Sequence, residues 1–174
     1  MLNKDNLIYI FKNLYDASKI SYDLFNEADA KIGDGDLGIT ILNGLEEINH
    51  SISNFTDDLG YNFMICSQAF VKKSGSSFGT LVAFSFMNVS KYLKGKNKCS
   101  HDEIIKIFEI ILTTILERGK TKLGDKTIAD TINLIIQKEI NLWKLDFLHL
   151  RQVQKLLLLI NGWKLVEQWG LLLN

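Results

Sequence analysis

Proline is missing altogether from these 174 residues, where average usage of about 5% would place roughly nine. A chain without proline has no forced helix breaks, so helices can run from cap to cap. Arginine is nearly absent as well: only Arg118 and Arg151 occur. Lys+Arg 20 against Asp+Glu 20 leaves no net charge, which argues against nucleic-acid binding driven by bulk positive charge. Two cysteines, Cys66 and Cys99, are too few for a disulfide framework. No run of about 18 apolar residues is present, so no membrane span is expected. The segment MLNKDNLIYIFKNLYDASK has neither the apolar core nor the small-residue cleavage site of a signal peptide. These absences lead us to expect a soluble cytoplasmic protein with reduced thiols.

What is present is a core's worth of apolar residues, 47% of the chain, in a length that suits one domain. We read 1–174 as a single domain with an atypical tail over 145–174. Residues 4–27 carry Leu7, Ile10, Phe11, Leu14, Ala17, Ile20, Leu24 and Phe25 at three- and four-residue spacing, the period of an amphipathic helix. The same period returns over 39–54 with Ile41, Leu42, Leu45 and Ile48. Further helices are expected over 59–71, 78–93, 101–117 and 127–140. Asp57 and Asp58 are candidate caps for the third, and Ser100 with Glu103 makes a capping box for the fifth. No strand-like alternation competes, so an all-α antiparallel helical bundle is the expectation. The tail differs in composition: Trp143, Trp163 and Trp169 all lie toward the end of the chain, and Leu156 to Leu159 are consecutive.

The strongest local signal is Asp29-x4-Asp34-x-Asp36 with Gly33, Gly35 and Gly38. Three carboxylates on one short loop repel one another unless a cation joins them. Oxygen donors without His or Cys favour Mg²⁺ or Ca²⁺ over zinc. An EF-hand does not fit, since counting from Asp34 places Leu45 where the twelfth-position Glu belongs. An Asp/Gly turn that merely caps the next helix is the competing reading. A second loop, Lys72 to Ser77, offers small residues at a helix N-terminus, a geometry that suits phosphate. A third, Gly119 to Thr127, has the same character. Taken singly, these two are better read as polar interhelical turns. Together with the acidic loop they suggest a Mg-nucleotide site. Neither a Walker A motif nor a protein-kinase motif set is present. His50, His101 and His149 fit no metal spacing and read as surface or capping residues.

These three loops, in this order, resemble the dihydroxyacetone kinase L subunit, the nucleotide-binding domain of dihydroxyacetone kinases. The family pattern D-x4-D-x-D-H-G-x-N is similar to the run from Asp29 to Thr40. G-A-S-G-x-x-x-G-T is matched from Lys72 through Ser74 and Gly75 to Gly79 and Thr80. R-G-K-x-x-P-G-D-K-T-M-x-D is matched from Arg118 to Asp130. The resemblance covers roughly residues 5–140. It implies an eight-helix antiparallel barrel with a nucleotide, ADP or ATP, at one end. It implies two Mg²⁺ ions held by Asp29, Asp34 and Asp36. It implies nucleotide contacts from the turn Leu37, Gly38, Ile39 and Thr40, from Lys73 and Ser74, and from Gly119 and Ile128. The partners it implies are a separate K subunit that binds dihydroxyacetone and, in the phosphotransferase-system version, an M subunit that rephosphorylates ADP. The chain would supply positioning and charge neutralisation for phosphoryl transfer.

The chain departs from the family at several places. Leu37 stands where the family has His, and Thr40 where it has Asn. Val71-Lys72-Lys73 replaces a G-G-A turn, and Leu123 replaces a Pro. The closing motif with G-R-A-x-Y and D-P-G-A is not found after residue 140. We expect that a frameshift near residue 145–150 produced the leucine-rich tail, which sequencing the DNA decides. A barrel closed by such a tail is expected to be weakly stable or to associate, as a homodimer or larger oligomer. Three functional readings follow: a nucleotide-binding phosphotransferase subunit, a catalytically impaired regulatory or binding module of the same fold, and a helical bundle whose polar loops are only turns.

Overall fold

In the computed structural model, residues 1–31 and 33–137 are described. They form six α-helices: α1 (Lys4–Asp29), α2 (Leu37–Ser51), α3 (Leu59–Lys73), α4 (Ser77–Leu93), α5 (His101–Gly119) and α6 (Ile128–Gln137). A short 3-10 helix, Ile52–Asn54, extends α2. Among the described residues there is no strand, only an isolated bridge in which Leu2 and Cys99 exchange backbone hydrogen bonds of 3.0 and 2.8 Å. The tail over 145–174, with its tryptophans and expected frameshift, lies outside the described residues, as does the end of the helix expected over 127–140.

Five of the helices start at a side-chain cap, α6 at Thr127, whose hydroxyl accepts from the Ala129 N–H at 3.2 Å. Asn3 accepts from the Asn6 N–H and opens α1. Asp58, rather than Asp57, accepts from Gly60 and Tyr61 and opens α3. Ser76 accepts from Gly79 and opens α4. Ser100 and Glu103 form the reciprocal capping box at α5, satisfying two backbone donors that a helix start otherwise leaves bare.

Neighbouring helices pack in sequence order: α1 on α2, α2 on α3, α3 on α4, α4 on α5 and α5 on α6. The apolar seam gathers Leu7, Phe11 and Phe25 from α1, Ile41, Leu45 and Ile48 from α2, and Leu59, Phe63 and Phe70 from α3. Phe11 meets Phe55, Phe63 and Phe86 edge to face at 6.4, 6.4 and 6.0 Å, the arrangement the ring quadrupole favours. Gly44 lets α2 approach α3, since a Cβ there would run into the Phe70 ring. Ile20, which the apolar spacing assigns to the buried face of α1, instead points outward and is 80% exposed. The buried residues Leu7, Phe11, Ser18 and Phe25 keep a spacing of four and seven, and Ile20 falls off that stripe by two residues, about 200° of helix rotation. Cys66 and Cys99 are buried free thiols, and burial pushes the Cys66 thiol up from its ordinary range. No helix among the described residues is long and apolar enough to cross a membrane. The described helices also border an apolar space of about 310 Å³, lined among others by Phe11, Phe70, Phe86 and Ile132.

The up-and-down order places alternate connections at opposite ends. At one end lie the N-terminus and the α2/α3 and α4/α5 connections. There Leu59 donates to the Lys96 carbonyl at 2.8 Å, the Gly95 N–H reaches Asp58 at 3.1 Å, and Lys4 pairs with Asp57 at 2.9 Å. At the other end lie α1/α2, α3/α4 and α5/α6, the three loops singled out by their chemistry.

Candidate functional site

The first loop is built around Asp29, the last residue of α1. Its Oδ2 accepts from the backbone N–H groups of Gly35 and Asp36 at 2.9 and 3.0 Å. Gly33 donates to the Asp29 carbonyl at 2.6 Å, and a Cβ there would lie 2.6 Å from Asp29 Oδ1. Gly35 takes a left-handed φ of 77°, which costs a glycine nothing. The loop therefore folds back on the helix end, and one carboxylate oxygen each of Asp29, Asp34 and Asp36 lies within 4.8 Å of the others. Asp34 is exposed; the other two are half-buried. Burial, followed by the charges of Asp34 and Asp29, holds the Asp36 carboxyl above its ordinary range. Asp29 also sits at the negative end of the α1 dipole, with no basic residue in that last turn. A divalent cation would relieve the repulsion felt at the Asp36 carboxyl. The cluster's all-oxygen donors and its glycine cradle fit Mg²⁺.

The start of α2 is held by a residue that sequence reasoning did not single out. Asn26 Oδ1, from α1, accepts from the N–H groups of Gly38 and Ile39 at 2.7 and 3.2 Å. Gly38 is buried, and a Cβ on it would overlap the Tyr22 carbonyl and approach Asn26 Oδ1 to 2.7 Å. Asn26 stands three residues before Asp29 on one helix face, the spacing by which it could have been found. Leu37 is half-buried and packs on the core, while Ile39 is 43% exposed.

The second loop joins the first through hydroxyls. Thr40, 4% exposed, donates to Ser76 Oγ at 2.8 Å. Ser76 Oγ also takes the Gly79 N–H at 3.1 Å and lies 3.4 Å from Ser74 Oγ. Gly79 is obligatory for the loop, because a Cβ there would overlap the Ser74 side chain. Lys72 and Lys73 turn toward α2: Glu47 lies 2.5 Å from Lys72 Nζ and 3.9 Å from Lys73 Nζ. The Lys72 hydrogen bond is the first cause that holds the Glu47 carboxyl below its usual range.

The third loop is fixed by its own acids. Asp125 accepts from the Thr121 hydroxyl and the Lys122 N–H at 3.1 and 3.0 Å. Asp130 accepts from the Gly124 and Thr127 N–H groups at 2.6 and 2.8 Å. Lys120, Gly124 and Lys126 all take left-handed φ values, 51°, 95° and 59°. Gly119 sits beside Leu81 of α4, to which a Cβ would stand at 3.6 Å. Ile128 opens α6 half-buried against the small cluster of Ile115, Ala129 and Ile132. Arg118 stacks over the Phe84 ring at 3.5 Å. His50 and His101 are exposed, and His149 lies outside the described residues.

The fold and its polar end define an all-helical domain with three short loops gathered at one pole, one of them acidic. More particularly, the chain belongs to the DAK2 domain family, whose model matches residues 31–141. It is similar to the ADP-binding subunit DhaL of PEP-dependent dihydroxyacetone kinase 1 of Listeria innocua, with 30% identity over 122 residues, covering 67% of this chain and 61% of that protein. It is also similar to the ADP-binding subunit DhaL of the Escherichia coli PEP-dependent dihydroxyacetone kinase, with 23% identity, covering 59% of this chain and 49% of that one. The match therefore spans about half to three fifths of these relatives' own length. Among solved structures, the dihydroxyacetone kinase of C. freundii in its native form superposes with a TM-score of 0.66 at 21% identity, covering 82% of this chain and 27% of that one. That likeness is one of fold.

Proposed function

We propose that this chain is the nucleotide-binding subunit of a dihydroxyacetone kinase, and that it holds ADP or ATP with Mg²⁺ for phosphoryl transfer to dihydroxyacetone bound on a separate K subunit. The observation that carries the reading is the convergence of Asp29, Asp34 and Asp36 within 4.8 Å, beside the starts of α2 and α4. The names of the similar bacterial subunits support it. Asp29, Asp34 and Asp36 would hold the metal, two ions by the family resemblance. When bound, Mg²⁺ neutralises phosphate charge. The turn Leu37–Thr40, Lys73 and Ser74, Gly119 and Ile128 would flank the nucleotide. An M subunit would serve as the phosphoryl source in a PEP-dependent system, whereas ATP would be the direct donor otherwise.

A calorimetric titration of the full chain with ADP and Mg²⁺ tests this. Binding in the micromolar range is expected, and Asp34→Ala is expected to weaken it about 100-fold or more, since a charged group in a metal cluster is worth several kcal/mol. An unchanged heat signature in Asp34→Ala would remove the metal assignment. Adding a K subunit, dihydroxyacetone and a phosphoryl source then reads turnover.

A second reading, a catalytically impaired module of the same fold, has one observation in its favour. The Gly38 and Ile39 N–H groups that would meet phosphate are already taken by Asn26. Background turnover beside an active K subunit is the result that would favour it.

A further inference from the structure

Asp36 is the N-cap residue of α2: its carbonyl accepts the first bond of the helix, from the Thr40 N–H at 2.9 Å. Aspartate is among the best caps, and it caps by accepting on its own side chain from the second or third helical N–H. In α2 those donors belong to Gly38 and Ile39, and the Asp36 side chain takes neither. Its backbone, at φ −103° and ψ 3°, lies outside the extended region from which Asn3, Asp58, Ser76 and Ser100 cap their own helices. Both donors go instead to Asn26 Oδ1, reaching across from α1, at 2.7 and 3.2 Å. A carboxamide oxygen has two lone pairs, so one atom serves both. The Asp36 carboxylate is left to the acidic cluster, with one oxygen within 4.8 Å of those of Asp29 and Asp34. Asp29 stands three residues beyond Asn26, on the same face of α1, and its Oδ2 takes the Gly35 and Asp36 N–H groups. The last turn of α1 thus grips the backbone on both sides of Asp36. Gly38 makes the grip possible, since a Cβ there would come within 2.7 Å of Asn26 Oδ1.

We propose that Asn26 is a positioning residue for the cation: it caps α2 in place of Asp36 and so keeps the Asp36 carboxylate available as a ligand. This deepens the reading of the three aspartates as a Mg²⁺ site and rests on it. Asn26 holds no metal itself and acts through Asp36. Without its oxygen, two N–H groups at the start of α2 lose their acceptor, and Asp36 is the residue placed by sequence to take them. A carboxylate drawn back onto the helix start competes with the cation for the same group. An acidic loop that merely caps the next helix would use Asp36 in the opposite way.

The test is Mn²⁺ binding to the nucleotide-free full chain by electron paramagnetic resonance, with urea unfolding of the metal-free proteins beside it. Asn26→Ala is expected to weaken Mn²⁺ about fivefold or more, the factor that competition from one helix cap sets. Asn26→Asp keeps an acceptor oxygen at the same reach and is expected to bind Mn²⁺ no more weakly than wild type. Weaker binding in Asn26→Asp overturns the proposal, whether or not the alanine variant folds. In the metal-free chain Asp36 is expected to take over the cap once Asn26 is gone. Asn26→Ala and Asp36→Ala together should then lose more stability than their separate losses added, whereas a residue that only stiffens the loop would give additive losses. Additive losses, or wild-type Mn²⁺ affinity in Asn26→Ala, overturn the proposal and leave the metal site standing. A wild-type chain that takes up no Mn²⁺ sinks the metal reading itself and the proposal with it, a result distinct from any variant outcome.

Discussion

At the scale of single residues, the site depends on what cannot be there. Gly38 admits α1 so closely that a Cβ would overlap the Tyr22 carbonyl, which is backbone and cannot swing away. Gly38→Ala is therefore expected to cost about 1–3 kcal/mol by overpacking, read as a shift in the urea midpoint. The same change should loosen the Asn26 cap and weaken Mg-ADP binding beyond the stability loss. A variant as stable as wild type would show that α2 can slide without penalty. The three aspartates were legible in the sequence because carboxylates crowded onto one short loop repel one another, and a cation is what most simply offsets that repulsion. Asn26 and Ser76 were not, because a neutral polar residue gains meaning only from the backbone it meets. Lys73 shows the converse. The family resemblance placed it at the nucleotide, and in the folded chain it lies 3.9 Å from Glu47 on the neighbouring helix.

At the scale of elements, period and caps did most of the work. The six described helices start, and the first five also end, within a few residues of the spans read from apolar spacing, because cap residues mark most of their starts and no proline interrupts them. The capping box at α5 was visible as a four-residue pattern and its outcome can be measured. Ser100→Ala is expected to cost about 1 kcal/mol, with a range of about 0.5–2, by leaving a helix-start donor unmet. Glu103 gives the same box a pH dependence. The Lys96 hydrogen bond first, and the Ser100 N–H at 2.8 Å second, hold its carboxyl below the ordinary glutamate range. A folded pKa below the unfolded one means that the contribution to stability is complete above the unfolded value, about 4.3. It is lost as pH falls through the lower folded value. Urea unfolding from about pH 6 down to about pH 3 should therefore show a loss that begins below about pH 5 in wild type and is smaller in Glu103→Gln. Equal slopes in the two proteins would show that the box carries no charge-dependent share. What period alone did not reveal was the outward turn of Ile20, since one apolar residue off the stripe looks like the stripe until the neighbouring helix is placed.

At the scale of the whole molecule, topology turns three distant loops into one surface. Each helix reverses the chain, so every second connection returns to the same pole, and α1/α2, α3/α4 and α5/α6 meet there however different their sequences. The Thr40–Ser76 hydrogen bond and the approach of Gly119 to Leu81 are local signs of that arrangement. The three loops and their order were legible in the sequence; their meeting depends on helix lengths and packing, which no single loop encodes. The two connections at the opposite pole provide an internal control. Hydrogen exchange with and without Mg-ADP should separate them, because loops exchange by local opening and core amides by larger unfolding. At a ligand concentration about 100 times Kd the native state gains about 2.7 kcal/mol, which slows every amide that exchanges through global unfolding. Beyond that common effect, amides of Gly35, Asp36, Gly79 and the segment from Thr121 to Thr127 are expected to slow further, whereas those of 55–58 and 94–100 are not. Extra protection confined to the first loop would mean that the ion binds without a nucleotide bridging the pole. Protection at both poles alike would mean that the ligand acts on stability alone, and that the three loops do not form one site.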